Sequence, residues 1–532
     1  MKKAIIVASL IMSAALSVNA QGVMDAITTQ ESQIRGTARY SAMAGAFGAL
    51  GGELTSISKN PAGIGVYRSS EISLTGSFNF VDNIVTTPSH QSRNNDFYFT
   101  GDNMGVVGVI IFKESALRNL NFGFAYNNIY NYNNAYRADW NNISSSLTQL
   151  IAAQATSLNC PPSMLDESAA SNPYNNLPWL SVLGYNTNLI YNKSQDNIYN
   201  SIFDKQNSSG NAYLINYTSG SIDEYDFNIS GNVYDVFYWG LTINVTSINY
   251  HQESYYGEDL YNIHVVDNHS NENRPSLTNG NYELSNYLHT DGYGTGVKFG
   301  AIYRPANFLR LGVAVHSPTY YTMTDTYSAA VDYNFENVNG RHLTGSSSDI
   351  QNRTDIGSIS YEFCSPWHFM GSIAAVIGKW GIISADYEYT TARDMYYSDI
   401  YNNYTYTNQC INSQAENIHN VRIGLEGRIT PAFSVRAGYA YQTAPLGRSY
   451  FDGIQAPQIT EGTIYHYQIP GDVHNITCGL GYRINNISID AAYVYRTQNH
   501  SIYAYPEAGY GYTPTTMNLN NHSIKISLGY RF

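Results

Sequence analysis

Charge is scarce in this sequence. Asp, Glu, Lys and Arg make up 13% of 532 residues, and the balance is acidic, −13 at neutral pH. So little positive charge excludes the electrostatic footprint of a nucleic-acid binder, and no such partner is expected. Cysteine is scarce too. Cys160, Cys364, Cys410 and Cys478 have neither metal-type spacing nor a CxxC pair, so no metal is expected at them. A bridge between Cys364 and Cys410 stays open for a chain in an oxidising compartment. No apolar run after the first twenty residues is long enough to cross a bilayer as a helix. A Walker loop, a dinucleotide fingerprint, HExxH and GxSxG are all missing, so neither an enzyme nor a cofactor is expected.

What is present is tyrosine, glycine and asparagine. The chain holds 49 Tyr and 43 Gly, and aromatics reach 14%. Disordered chains are poor in aromatics and strongly charged, so this composition points to strands whose rings sit at an interface. Residues 1–20 read as an export signal: Lys2 and Lys3, the run AIIVASLIMSAAL, then Val18-Asn19-Ala20 ahead of Gln21. Its removal takes the formal charge from −13 to −15, and no Cys follows to carry a lipid anchor.

The fold class expected is all-β, an antiparallel transmembrane barrel. In HSIKISLGYRF, Ile524, Ile526, Leu528, Tyr530 and Phe532 share one face, while Ser523, Lys525, Ser527, Gly529 and Arg531 share the other. An aromatic at the terminal carboxylate resembles the signal that bacterial outer-membrane barrels present to their assembly machinery. The same two-faced pattern recurs at 293–304, 309–316, 418–429, 432–441, 474–484 and 487–496. Pro305-Ala306-Asn307, Gly378-Lys379, Thr430-Pro431 and Asn485-Asn486 read as tight turns, whereas the alternate connections are long and rich in Asn, Ser and Tyr. Outer-membrane barrels have short periplasmic turns and long external loops. Parity then places strands near 70–81, 103–113, 120–130, 222–230, 234–250, 286–304, 308–320, 367–377, 380–391, 418–429, 432–441, 473–484, 487–496 and 521–532, fourteen in all. The stretch 352–363 breaks parity if it crosses separately, so it is read as an external extension joined to 367–377 through Ser365-Pro366. The expected division is 1–20 signal, 21–66 hatch and 67–532 barrel, with external loops at 131–221, 251–285, 321–366, 392–417, 442–472 and 497–520.

A sheet in lipid must close, because an unpaired edge there has no water to satisfy it. The inward face so mapped carries Lys298, Arg304, Arg310, Asp386, Glu388, Arg422, Glu426, Arg428, Arg436, Arg483, Asp490, Arg496, Lys525 and Arg531. The other face is nearly free of charge and carries Cys478 beside Ile476 and Leu480, so lipid lies there. The charged interior reads either as a polar conduit or as a salt-bridge network that braces the barrel.

Residues 22–66 differ in kind. SAMAGAFGALGG is apolar but built of small side chains that permit close backbone approach, and Asn60-Pro61-Ala62-Gly63 reads as a turn. The simplest placement is inside the barrel as a plug; a periplasmic tail is the alternative. Here RYSAMAGAFGALGGELTSISKNPAGIGVYRSSEISL resembles the start of FadL/TodX-type outer-membrane transport proteins, the long-chain fatty acid and aromatic hydrocarbon channels, in their Bacteroidetes-like branch. Further similar stretches are GSIDEYDFNISGNVYDVFYWGLTINVTSINY, YGTGVKFGAIYRPANFLRLGVAVHSPTYY and GKWGIISADYEYT; the segments near 131–220 and 392–417 have no counterpart. The resemblance implies a monomeric barrel with an NPA-type hatch in the lumen, and passive uptake of a hydrophobic small molecule past that hatch or sideways through the wall. It implies that Asn60, Pro61 and Ala62, with Gly63, position the hatch. Phe47 and Leu50 either face the ligand or pack the hatch against the wall.

The other partners expected are outer-membrane lipid and lipopolysaccharide, and the assembly machinery during biogenesis, in the outer membrane of a Gram-negative cell. Two rival readings stay open. One is surface binding or adhesion through the external loops, to which the aromatic stretch 179–192 would contribute. The other is heme or metal capture through His251, His264, His269 and His289, although these lack any i,i+2 or i,i+4 pair.

Overall fold

The computed structural model describes residues 21–168, 172–192, 197–270, 274–400, 403–447, 462–506 and 515–532. The expected signal at 1–20 lies outside the described residues.

Fourteen antiparallel staves close on themselves in chain order. They are β1 (Glu71–Thr86), β2 (Gln91–Ile111), β3 (Leu117–Asn131), β4 (Ser209–Val233), β5 (Phe237–Val265), β6 (Ser276–Ala306), β7 (Leu309–His316), β8 (His368–Ile377), β9 (Gly381–Thr390), β10 (Ile418–Arg428), β11 (Phe433–Gln442), β12 (Tyr467–Ile484), β13 (Ile487–Tyr503) and β14 (Thr515–Arg531). β14 returns to β1, with Arg531 opposite Glu71 and Thr516 opposite Thr86, so the sheet closes into a barrel. The side chains alternate as their periodicity predicts. On β14 Ile524, Ile526 and Leu528 are exposed to the outside, and Ser523, Lys525 and Ser527 are buried inside.

All the turns expected to be tight fall at one end, which short connections mark as periplasmic. Tyr234 and Asp235 between β4 and β5 both adopt positive φ, the conformation of a two-residue hairpin turn whose twist matches the flanking strands. Gly357–Cys364 leads through Ser365 and Pro366 into β8 and pairs with Tyr320–Val338, the outward continuation of β7. The extension inferred from parity is therefore present, and 352–363 is no separate crossing.

The strands run further outward than their alternation suggests. β1 and β2 meet in a tight external hairpin at residues 87–90, not in a loop over 82–102, and β5 and β6 remain paired from Phe237 and Tyr303 to Val265 and Ser276. The outer connections pack a roof over the barrel mouth. Two helices, α4 (Leu147–Ser157) and α5 (Trp179–Asn186), bury Ile151, Leu180 and Leu183 against Tyr256, Leu260 and Phe335 from the extended staves. Glu258 fixes the start of α4, accepting from the Leu147 amide at 2.9 Å. All four cysteines are free thiols, so Cys364 and Cys410 form no bridge, and Cys478 is exposed on the outer face.

Residues 21–66 fill the lumen. They form α1 (Val23–Thr29), α2 (Ala38–Ala42), α3 (Ser56–Lys59) and a 3₁₀ turn, Pro61–Val66. Asn60 explains why the chain turns there. Its side chain caps the 3₁₀ turn through the Ala62 amide at 3.2 Å and donates to the Gly48 carbonyl at 2.5 Å, while Pro61 supplies the preset φ of a first helical position. The wall meets this turn with glycine. A Cβ on Gly300 would come within 1.9 Å of Asn60 Oδ1, and one on Gly240 within 2.3 Å of the Pro61 carbonyl carbon.

Candidate functional site

The hatch is bound to the wall by side chains that strand parity points inward. Arg35 meets Asp102 of β2 at 2.8 Å, and Lys525 of β14 contacts the same carboxylate; all three side chains are at most 3% exposed. Asp102 owes its position to a bulge. Thr75 pairs with Asn103 but Gly76 pairs with Gly101, so Asp102 is an extra residue in β2 turned into the lumen. Arg39 pairs with Glu426 at 2.9 Å, Glu426 with Arg436 at 2.7 Å, and Arg436 with Asp490 at 2.5 Å. Ser58 donates to Glu224, which pairs with Lys298 at 2.5 Å, and the Gly48 amide donates to Asp386 at 2.9 Å. Glu388 pairs with Arg422 at 2.5 Å beside His368, while Arg531 pairs with Glu71. Between conduit and brace, these geometries describe a brace.

The remaining predicted lumen charges fall elsewhere. Arg310 donates to the Leu50 carbonyl at 2.5 Å, and Arg304 donates to Asn307 at the turn end. Arg428 and Arg483 are exposed at the periplasmic mouth. Phe47 is 1% exposed and packs with Tyr40, Met43 and Ala374, holding hatch against wall, while Leu50 borders a cavity beneath the hatch. Asn60, Pro61, Ala62 and Gly63 are all buried at the hatch–wall contact.

Above the hatch lies a cavity of about 180 Å³. Its floor is α1 and the arm behind it, through Met24, Ile27 and Glu31; its walls include Val81, Tyr98, Tyr130, Ile248, Leu288 and Leu519. The apolar side chains come from both the staves and α1, and the polar lining includes Arg496, His466 and His500. Arg496 donates to Gln498 at 2.6 Å, and both ring nitrogens of buried His500 lack a partner. Burial holds the neighbouring His466 down to about 4, so it is neutral at physiological pH. Burial also raises the Glu31 carboxyl above its ordinary range, against the opposing pull of Tyr130 and Arg496.

The cavity backs onto a seam. β2 and β3 pair from Ile111 and Asn119 only as far as Asn103 and Asn127, although β2 continues to Gln91 and β3 to Asn131. The bulge at Asp102 stands where the ladder ends, as expected of a feature that bends a strand and terminates pairing. Beyond the seam the wall is rejoined by side chains, with Asn94 donating to the Ala135 carbonyl at 3.0 Å. Within it Tyr98 lines the cavity, and Phe97 and Phe99 are exposed on the outer face. The freed Ile129 carbonyl accepts from the Gln33 amide of the hatch at 3.1 Å, so the hatch arm stands behind the seam.

Sequence reasoning missed Arg35, Asp102 and the seam. The only signal was an arginine within a segment of small side chains. It also missed a histidine pair. His251 and His289 face each other across β5 and β6 with ring centroids 4.0 Å apart, but no group of three metal-ligating side chains occurs among the described residues.

The fold and site define a transmembrane β-barrel of the outer-membrane kind, closed by an N-terminal hatch, whose β2–β3 backbone ladder stops short of the strand ends. No family model and no curated protein matches the sequence. Among solved structures, the chain is similar to a FadL homologue of Pseudomonas aeruginosa, with 12% identity over 94% of this chain and 99% of that one and a TM-score of 0.52. It also aligns with the toluene transporter TodX of P. putida, at 11% identity over 94% and 99% with a TM-score of 0.47. A third alignment is with the monoaromatic hydrocarbon channel CymD, at 9% over 94% and 98% with a TM-score of 0.46. The first likeness is one of fold, and it spans hatch and barrel together.

Proposed function

We propose that the protein is a passive outer-membrane channel for hydrophobic small molecules, which rest in the cavity above the hatch and leave sideways through the seam. The observation that carries this reading is the coincidence of the cavity with the place where the β2–β3 ladder ends. A cavity of about 150 Å³ with an apolar lining takes up benzene, so the space of about 180 Å³ here suits a single ring or a short alkyl segment. Apolar walls interspersed with polar groups match the usual construction of a small-molecule site. Sideways exit is favoured over expulsion of the hatch, because the latter would break the buried pair of Arg35 and the half-buried pair of Arg39 together. By this reading the charged lumen residues hold the hatch, and Arg496 orients the polar end of an occupant.

Surface binding through the loops is the second reading, and the packed roof favours it, since the external connections share an apolar core of their own.

Native mass spectrometry of the detergent-purified protein loaded with a labelled monoaromatic hydrocarbon separates the two. Stoichiometric retention by the wild type, lost in an Ile248→Trp/Leu288→Trp variant that fills the cavity, is the expected result. Retention unchanged by the filled cavity would remove the channel reading and leave the roof as the binding surface.

A further inference from the structure

Beneath the hatch the barrel opens into a second cavity, of about 460 Å³, facing the periplasm. Seven arginines and four carboxylates line it. The carboxylates are already engaged. Glu426 and Asp490 are taken by Arg39 and Arg436, Glu71 by Arg531, and Glu53 accepts from Thr37 and Thr55. Arg68 pairs outward with Asp235. Three guanidiniums are left over, Arg310 on β7, Arg428 on β10 and Arg483 on β12, and among the described residues none has a carboxylate within ion-pair distance. Arg310 spends one nitrogen on the Leu50 carbonyl at 2.5 Å, and its Nε is buried without a partner.

Unmatched arginines at a barrel rim commonly meet phospholipid headgroups of the leaflet around them. These three face the lumen instead of the surrounding leaflet. Each shares the lumen face of its stave, in register with buried Ala314, Arg422 and Gly481 respectively, and all three border one concavity. Guanidinium groups present planar forks that match the oxygens of a carboxylate or phosphate, and like charges converging on a cavity are relieved by one anion between them.

We propose that this periplasmic vestibule is an oxyanion site whose ligands are Arg310, Arg428 and Arg483, taking a phosphate or carboxylate group from the periplasmic side. The anion is either free or the headgroup of an amphiphile. Because Arg310 also holds the Leu50 carbonyl, an anion in the vestibule competes with a hatch contact, and occupancy loosens the loop of residues 48–53.

Calorimetric titration of full-length protein in a neutral detergent at low ionic strength, with inorganic phosphate as the probe, tests this. Saturable binding is expected, weakened by about tenfold or more in Arg428→Gln/Arg483→Gln and in Arg310→Gln, and unchanged in Arg304→Gln, which lies on the same face but outside the cavity. A short-chain phosphatidylglycerol that displaces phosphate identifies a headgroup site; one that does not identifies a site for the free anion. Should a variant fold poorly, phenylglyoxal modification of the wild type gives an independent reading, since phosphate is expected to protect these three arginines and not Arg304. Absence of saturable binding, or equal binding in wild type and variants, or no selective protection, overturns the proposal.

Discussion

Arg35 of the hatch reaches Asp102 at the one residue by which β2 outruns β1, and Lys525 approaches that carboxylate from the other side. One buried carboxylate thus serves as the shared partner of two buried cations. Replacing it strands both, and breaking a buried pair in this way costs about 3–5 kcal/mol. Asp102→Asn is therefore expected to raise amide exchange across residues 33–59 by roughly two to four orders of magnitude. Arg39→Ala is expected to do less, because its side chain is 23% exposed and Glu426 keeps Arg436. Exchange mass spectrometry of the two variants checks the order, and equal effects would show that Asp102 is no more than one tie among many.

How much of this was legible beforehand depends on where lipid touches the chain. Staves such as 523–531 alternate because one face meets hydrocarbon and the other a polar lumen, and their count and turns follow from that pattern. Above the bilayer both faces of a strand meet water or packed loops, so alternation fades. QSRNND, residues 91–96, therefore reads as a loop although it continues β2, and it takes with it the stretch from Phe97 to Asp102, whose Phe97 and Phe99 still face outward as a pair of exposed rings. The hatch was legible as a segment of small residues, but its partners were not. Asn60 against Gly300 and Arg35 against Asp102 join positions remote in sequence, and the Asp102 bulge leaves no local trace. His251 and His289 escaped notice for the same reason: only strand pairing brings them together.

Gly300 tests the close contact between hatch and wall. A methyl group there would lie 1.9 Å from Asn60 Oδ1 and 3.0 Å from Pro61 Cδ, so the capped turn must move. Overpacking of this kind costs about 1–3 kcal/mol. Gly300→Ala is expected to leave the barrel assembled, seen as normal heat-modifiable gel mobility, while making the bond after Lys59 accessible to trypsin. Protection equal to wild type would mean that the hatch tolerates a shift without loosening.

The roof should respond to pH through Glu167. Burial pushes its carboxyl up to about 7, with Tyr174 donating to it at 2.5 Å and Asp355 adding repulsion. A folded value above the ordinary 4.5 means that the packed roof binds the proton more tightly than the open one. Its contribution is fully present below about 4.5 and is lost as pH rises through about 7. Exchange of residues 162–168 and 172–176, corrected for intrinsic rates, is expected to be slower at pH 5 than at pH 8. Glu167→Gln should hold the slow rate at both, and a wild type indifferent to pH would show that this carboxyl does not couple to packing.

The seam makes the most demanding prediction, because it separates holding a molecule from releasing it. Phe97 and Phe99 are 55% and 62% exposed on the outer face beside the gap, while Tyr98 between them lines the cavity. If occupants leave between β2 and β3, an apolar rim lowers the barrier to entering lipid, whereas a charged rim raises it without touching the cavity. Phe97→Asp/Phe99→Asp is then expected to slow transfer of a labelled hydrocarbon into liposomes by about tenfold while its Kd stays near the wild-type value, since charge at the lipid face costs about 2–4 kcal/mol for Lys or Arg at mid-membrane and less for Asp or nearer the interface. Val313→Asp, on the outer face of β7 well round the barrel, supplies the control for charge alone, and it should leave transfer intact. Slowing by both changes would point to general distortion of the barrel; slowing by neither would send the exit route back to the hatch. Only a split between them, with binding preserved, fits passage through the place where the ladder stops.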